Sequence, residues 1–301
     1  MRFRFICFLL ITLTICTLSC TRKPSSQSNL SKPLVIVSLS PYDTFVKDIA
    51  GDTLTVKVAV PPNYNAHVFE PTPKHLANFH QASLWFGIGE PFEAILLRTL
   101  TQRSPKLVTI DLSKNIPLRH DASTCSAAHS HSLHSALASD ETIDRHFWMS
   151  PHIAWLQVEI IAETLIHKFP ENKGLYEKNL EIFRQKLLNL DKDLHHLLNP
   201  YKGQAIIISH PSLGYFCQDY DLLQISIECE GKTPLPADLY KVIALAKEHK
   251  ALCVFTQEQF DNKGALLMAK QLHLPAYSIN PNLPEYFDNL MTIAKNITGS
   301  Q

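Results

Sequence analysis

The strongest constraint on how this chain folds is a long apolar stripe between Glu171 and Leu198. Tyr176, Leu180, Phe183, Leu187, Leu190, Leu194 and Leu197 recur at alternating spacings of four and three. That pattern is one apolar face of an amphipathic helix. Lys178, Arg184, Lys186, Lys192 and Asp193 put charge on the other faces. Asn199-Pro200 stops the helix, because proline disfavours a helical residue before it. About 27 residues at ~1.5 Å each span ~40 Å, more than one small domain needs. A coiled-coil seam would fit the same seven positions, but both flanks alternate short apolar strands with helices. The helix is therefore expected to be a strut, residues 171–199, joining two lobes.

Each flank reads as α/β. On the first side, 34–170, the apolar run Leu34 to Leu39 suits a strand buried on both faces. Alternating Leu54, Val56, Val58 and Val60 mark a second strand, and Leu84 to Gly87 and Leu107 to Ile110 two more. Helices fall between them, which implies parallel pairing. On the second side, 200–301, strands are expected at Ala205–Ser209, Leu223–Ile227, Ala251–Thr256 and Ala276–Ile279, again separated by helices. The expected architecture is two similar lobes with parallel sheets flanked by helices, joined by one rigid helix.

The N-terminus is a targeting segment. Arg2 and Arg4 precede an apolar stretch, Phe5 to Leu18, of ~14 residues, too short to span a bilayer comfortably. It ends in Thr17-Leu18-Ser19-Cys20, which resembles a bacterial lipobox with threonine where leucine is usual. Residues 1–19 are expected to be a signal peptide and Cys20 a lipidated N-terminus. Plain secretion and an uncleaved anchor are the alternatives. Residues 20–33 are polar and lack apolar periodicity, so they read as a flexible tether. Cleavage before Cys20 removes two of 28 basic residues and no acidic one, leaving 26 against 28 and a net charge of −2. That balance makes no electrostatic case for nucleic acid. Cys125, Cys217, Cys229 and Cys253 remain in a compartment that permits disulfides, and their pairing stays open.

Three histidines share one description. His67 follows a strand, His146 stands where a loop enters a helix, and His210 caps a strand. Loop ends of this kind carry ligands in open α/β sheets. Asp144 is placed to orient a ring nitrogen of His146. Two of the histidines come from the first lobe and one from the second, so a shared site would lie in the cleft. Three neutral imidazoles suit a borderline ion such as Zn²⁺. Manganese and magnesium would favour more carboxylate oxygens. A separate His-, Ser- and Ala-rich segment, 119–139, carries His120, His129, His131 and His134. It reads as a mobile loop within the lobe, either a weak metal-capture loop or a polar loop with no role.

The motifs resemble those of the metal-receptor proteins of bacterial zinc and manganese ABC importers. Asn65-Ala66-His67-Val68-Phe69-Glu70-Pro71 resembles the family's first ligand motif. Asp144 to Pro151 matches its aspartate-x-histidine-x-tryptophan-x-x-proline motif, and His210-Pro211-Ser212-Leu213-Gly214-Tyr215-Phe216 its third. The likeness covers nearly all of the mature chain. It implies an extracytoplasmic, lipid-anchored, monomeric receptor that delivers Zn²⁺ to a membrane permease, and the rigid strut is expected to limit closure to a small movement with local loop ordering. Histidine at 210, where manganese receptors tend to have glutamate, favours zinc over Mn²⁺ or Fe²⁺. One position departs: the family often has an aspartate-proline pair supplying a fourth ligand, and here the pair is Asn280-Pro281. Asn280 itself or a water is the favoured fourth ligand, with Glu70 and Glu230 as further candidates. Two other classes stay in view. One is a zinc hydrolase or lyase using Glu228 or Glu230 as general base. The other is a surface adhesin.

Overall fold

Both sheets repeat one parallel topology. In the first lobe β1 (Leu34–Val37) is central, β2 (Thr55–Val58) lies on one side, and β3 (Ala82–Gly87) and then β4 (Val108–Asp111) on the other. In the second lobe β7 (Ala205–Ile208) pairs with β8 (Leu223–Ser226) on one side and β9 (Val254–Thr256) on the other, with β10 (Ala276–Ser278) at the edge. Every pairing in these two sheets is parallel, as strand-helix-strand succession requires. These positions come from a computed structural model, which describes residues 32–114, 116–120, 143–228 and 236–300. Cys20 and almost the whole tether, together with His129, His131 and His134, fall outside the described residues, as does the His120 side chain.

Helices cover the sheets, and local chemistry sets their ends. Helix α1 (Ser40–Ala50) has proline in its first turn and ends at Gly51, whose φ of 56° suits a residue without Cβ. A Thr72/His75 capping box starts α2 (Pro73–Phe79), and α3 spans Pro91–Arg103. The Ser150 side chain accepts the Ile153 N–H to begin α4 (Pro151–Lys168). The second lobe adds α6 (Gly214–Asp219), α7 (Pro236–Glu248), α8 (Lys263–Leu272) and α9 (Tyr286–Thr298). No helix among the described residues is long and apolar enough to cross a membrane.

The long helix α5 runs Lys173–Leu198, bracketed by 3-10 turns at Pro170–Asn172 and Asn199–Tyr201. Tyr176, Phe183, Leu187, Leu190, Leu194 and Leu198 are buried, while Leu180 and Leu197 pack partly against the same core. It packs on α1 and α4 of the first lobe and α9 of the second. Phe183 meets Phe45 of α1 edge-on at 5.5 Å and Phe287 of α9 at 5.3 Å. One continuous apolar core therefore runs through both lobes. Strand β7 shows how it is partitioned. Ile206 and Ile208 face this shared core, and Ala205 and Ile207 face a smaller cluster with Val242, Ala246 and Met268 of α7 and α8.

Several elements differ from their sequence expectation. The strand expected from Ala251 is confined to Val254–Thr256. The last helix starts at Tyr286, not Leu283, because Asn280 to Glu285 form a turn in which the Asn280 carboxamide accepts the Asn282 N–H. The start of the histidine-rich segment is not structureless: β5 (Arg119–His120) pairs antiparallel with β6 (Ile143–Asp144). Cys217 and Cys253 are buried free thiols, and burial raises both, Cys253 to about 12. Cys125 and Cys229 lie outside the described residues. Phe183→Ala is expected to destabilise the protein by about 3–5 kcal/mol in denaturant titration. Leu188→Ala, at a position 53% exposed on the same helix, should change stability by less than about 0.5 kcal/mol.

Candidate metal centre

His67, His146 and His210 converge. One ring nitrogen from each lies within 4.8 Å of those from the other two, and the ring centroids stand 5.2–5.3 Å apart. His67 sits in a 3-10 turn, Ala66–Val68, and the Asn65 side chain accepts its backbone N–H at 3.0 Å. His146 follows β6 by two residues and opens the 3-10 turn Phe147–Met149. His210 lies two residues beyond β7. Its carbonyl accepts from Gln257 Nε2 at 2.7 Å, and its ring stacks on Phe260 at 3.8 Å. His146 and His210 are buried, and the His67 side chain is 31% exposed.

Each imidazole is backed by its own carboxylate. His67 Nδ1 is 3.1 Å from Glu90 Oε2, His146 Nδ1 is 3.0 Å from Asp144 Oδ1, and His210 Nδ1 is 2.8 Å from Glu228 Oε2. An ionised carboxylate only accepts hydrogen bonds, so each Nδ1 carries the proton. Each Nε2 is then left with a lone pair, and the Nε2 atoms of His67 and His210 approach to 3.3 Å. The surroundings treat the rings unequally. Burial depresses His67, but its hydrogen bond to Glu90 and the nearby carboxylate charges outweigh this and raise it. Burial pulls His210 well down, and repulsion from His146 and His67 adds to the effect. Burial would raise Glu90, yet the His67 hydrogen bond and the positive charge of His67, His146 and Arg145 bring it below its ordinary value. Burial raises Glu228.

A cavity of about 10 Å³, room for about one water, opens beside the rings, lined by His67 and His146 with Glu90, Gln259 and Asn282 among others. Glu90 Oε1, Gln259 Oε1 and Asn282 Oδ1 are buried there without a donor among the described residues. Asn280, expected as a fourth ligand, does not line this cavity. Both ends of its amide are used: Oδ1 accepts the Asn282 N–H at 2.9 Å, and Nδ2 donates to the Pro62 carbonyl at 3.2 Å. Glu70 is exposed, and Glu230 lies outside the described residues. Asp144 takes the orienting place expected for it. Sequence reasoning missed Glu90 and gave Glu228 a different part, as a general base. Their signal was positional, since both stand just past the end of a buried strand. Phe260 carried no signal.

Two parallel α/β lobes sharing one core, with an imidazole cluster between them, define a class: metal receptors of ABC importers, which bind and hand over an ion and are not enzymes. The chain matches the family model "Zinc-uptake complex component A periplasmic" over residues 35–299, and it belongs to that family. It is 29% identical to the high-affinity zinc uptake system protein ZnuA of Bacillus subtilis, over 88% of this chain and 82% of that one. A crystal structure of ZnuA superposes with a TM-score of 0.78 at 30% identity, covering 89% of this chain and 98% of the other. A zinc-bound ZnuA deletion mutant gives 0.77, also at 30% identity, over 89% and 97%.

In the metal-free protein, two-bond ¹H–¹⁵N correlation spectra should show His146 and His210 as Nδ1–H tautomers. Nε2–H signals for either ring would contradict the carboxylate pairing.

Proposed function

We propose that this chain is an extracytoplasmic zinc receptor in which His67, His146 and His210 hold one Zn²⁺ through their Nε2 atoms for delivery to an ABC permease. The observation that carries the reading is the carboxylate behind each Nδ1, which fixes three tautomers so that three lone pairs meet at one point. Three neutral nitrogens suit zinc at ~2.0–2.1 Å. Mn²⁺ and Fe²⁺ rank below it, because manganese prefers an oxygen-rich shell and Fe²⁺ binds a given site less tightly than Zn²⁺. The zinc-uptake relatives support the same cargo. The lipobox-like Thr17 to Cys20 supports a lipid anchor on Cys20, with the polar tether holding a monomeric receptor near its permease.

The fourth position goes to a water rather than to Asn280. The Asn280 amide is already committed to backbone partners. A metal-bound water is a strong donor, and Glu90, Gln259 and Asn282, which line the adjacent cavity, each carry a buried side-chain oxygen without a donor among the described residues. The histidine-rich segment with His120, His129, His131 and His134 is assigned a weak capture role on its composition alone.

Competition titration on the mature chain tests the site. His67→Ala, His146→Ala and His210→Ala should each weaken zinc binding by at least ~100-fold with the circular dichroism spectrum retained, and manganese should bind the wild type more weakly than zinc. Wild-type zinc affinity in all three variants would sink the assignment. Asn280→Ser keeps a turn-forming oxygen but is too short to ligate, and should leave zinc affinity within about threefold. A loss comparable to that of the histidine variants would restore Asn280 as a ligand.

A further inference from the structure

Asp144 has two oxygens with different neighbours. Oδ1 accepts both the backbone N–H and the Nδ1–H of His146, at 2.9 and 3.0 Å. Oδ2 is buried and has no hydrogen-bond partner among the described residues. It faces Arg119 Nε at 3.8 Å, too far for a hydrogen bond, and that Nε is also buried and unpartnered among the described residues. A buried carboxylate thus stands against the buried Nε of a guanidinium whose side chain is 32% exposed, inside the β5–β6 ladder, where Arg119 is the register partner of Asp144.

The second lobe closes over this pair. Arg119 Nη1 donates to Gln218 Oε1 at 2.7 Å, and the guanidinium lies 5.7 Å from the Tyr215 ring centroid. Tyr215 Oη accepts the Arg119 backbone N–H at 2.8 Å and donates to the Asp144 carbonyl at 3.2 Å. Tyr215 and Gln218 belong to α6, which begins four residues after His210. Its first residue, Gly214, comes so close that a Cβ there would stand 2.5 Å from Asp144 Oδ2 and 3.1 Å from Arg119 Nε. Only glycine fits without moving the carboxylate.

We infer that Arg119 and Gly214 are positioning residues for the metal site: from opposite lobes they hold the Asp144 carboxylate so that it fixes the ring of His146. A turn of the carboxylate about Cβ–Cγ would carry Oδ1 off both His146 donors, so those two hydrogen bonds oppose it from one side and the surroundings of Oδ2 oppose it from the other. Arg119 restrains Oδ2 electrostatically, and Gly214 leaves the space that Oδ2 occupies, which a Cβ would take away. The inference rests on His146 being a zinc ligand. A residue that supports a ligand in this indirect way typically costs 10–100-fold in metal affinity when changed.

The test is the rate of zinc release from the mature chain, followed by chelator chase. Arg119→Met keeps the apolar stem on Tyr215 and loses the guanidinium. Gly214→Ala adds one carbon on the other side. Each should release zinc about tenfold faster, with a wild-type far-UV spectrum in the metal-free state. Arg119→Lys, which keeps the charge, should recover part of the loss. In an Asp144→Asn background, Arg119→Met should add less than about twofold, because both changes act through one carboxylate. Wild-type release from both single variants overturns the inference, as does a full additional loss in the double variant. The controls separate the two failures. If the wild type holds no zinc, or His146→Ala holds it unchanged, the site assignment has failed. If both controls behave as expected, only the positioning role has.

Discussion

Crowding three imidazoles into one buried cluster is the constraint that the rest of the site answers. The rings of His146 and His210 lose nearly all contact with bulk water and that of His67 much of it, and an unpartnered ring N–H in that position would be costly. Glu90, Asp144 and Glu228 meet the demand one apiece. The topology supplies them in units. In the first sheet His67 comes after β2 and Glu90 after β3, on strands that flank β1. In the second, His210 follows β7 and Glu228 follows its neighbour β8. Each sheet thus delivers one imidazole and its buttress from the C-terminal ends of nearby strands, where open parallel sheets place ligands. The third pair, His146 and Asp144, is local, two residues apart at the β6 turn.

A site assembled from both lobes keeps its geometry only if the lobes keep theirs. The apolar core is shared between them, and buried hydrogen bonds cross the junction. Trp148 Nε1 donates to the Pro281 carbonyl at 3.0 Å, and Tyr286 Oη donates to the Trp148 carbonyl at 2.9 Å. Helix α5 then clamps α1, α4 and α9 from outside. A hinge would have to expose the Phe45–Phe183–Phe287 contact to water, so motion is directed into the small elements at the cleft, such as the 3-10 turn bearing His67. His67 is the most exposed of the three rings.

The sequence carried the scaffold well, because periodicity reports burial directly. Ile206 to Ile208 are buried on both faces, and the α5 stripe meets the core almost residue for residue. It carried the three histidines because each stands at the edge of an element. What it could not carry was tertiary. Glu90 lies 23 positions from His67 and Glu228 lies 18 from His210, and neither spacing is periodic. For Asn280, the residue type at its place says nothing of the partners its amide has in the fold, the Asn282 N–H and the Pro62 carbonyl. Gly214 looked like part of a motif, and only packing gives it a reason to be glycine.

Charge balance bears on the neutral residue at position 280. A divalent ion held by three neutral imidazoles brings two positive charges into a buried site, and burying charge without compensation is prohibitive. The compensation need not come from the atoms bonded to the ion. Glu90 and Asp144 are buried and Glu228 is largely so, each one imidazole away from the centre. Through hydrogen bonds they lend negative charge to the ligating rings. In the proposed zinc site an anionic fourth ligand would add charge to a centre already supplied, whereas a water would add none. The neutral Asn280 builds the turn that brings Asn282 to the rim of the cavity.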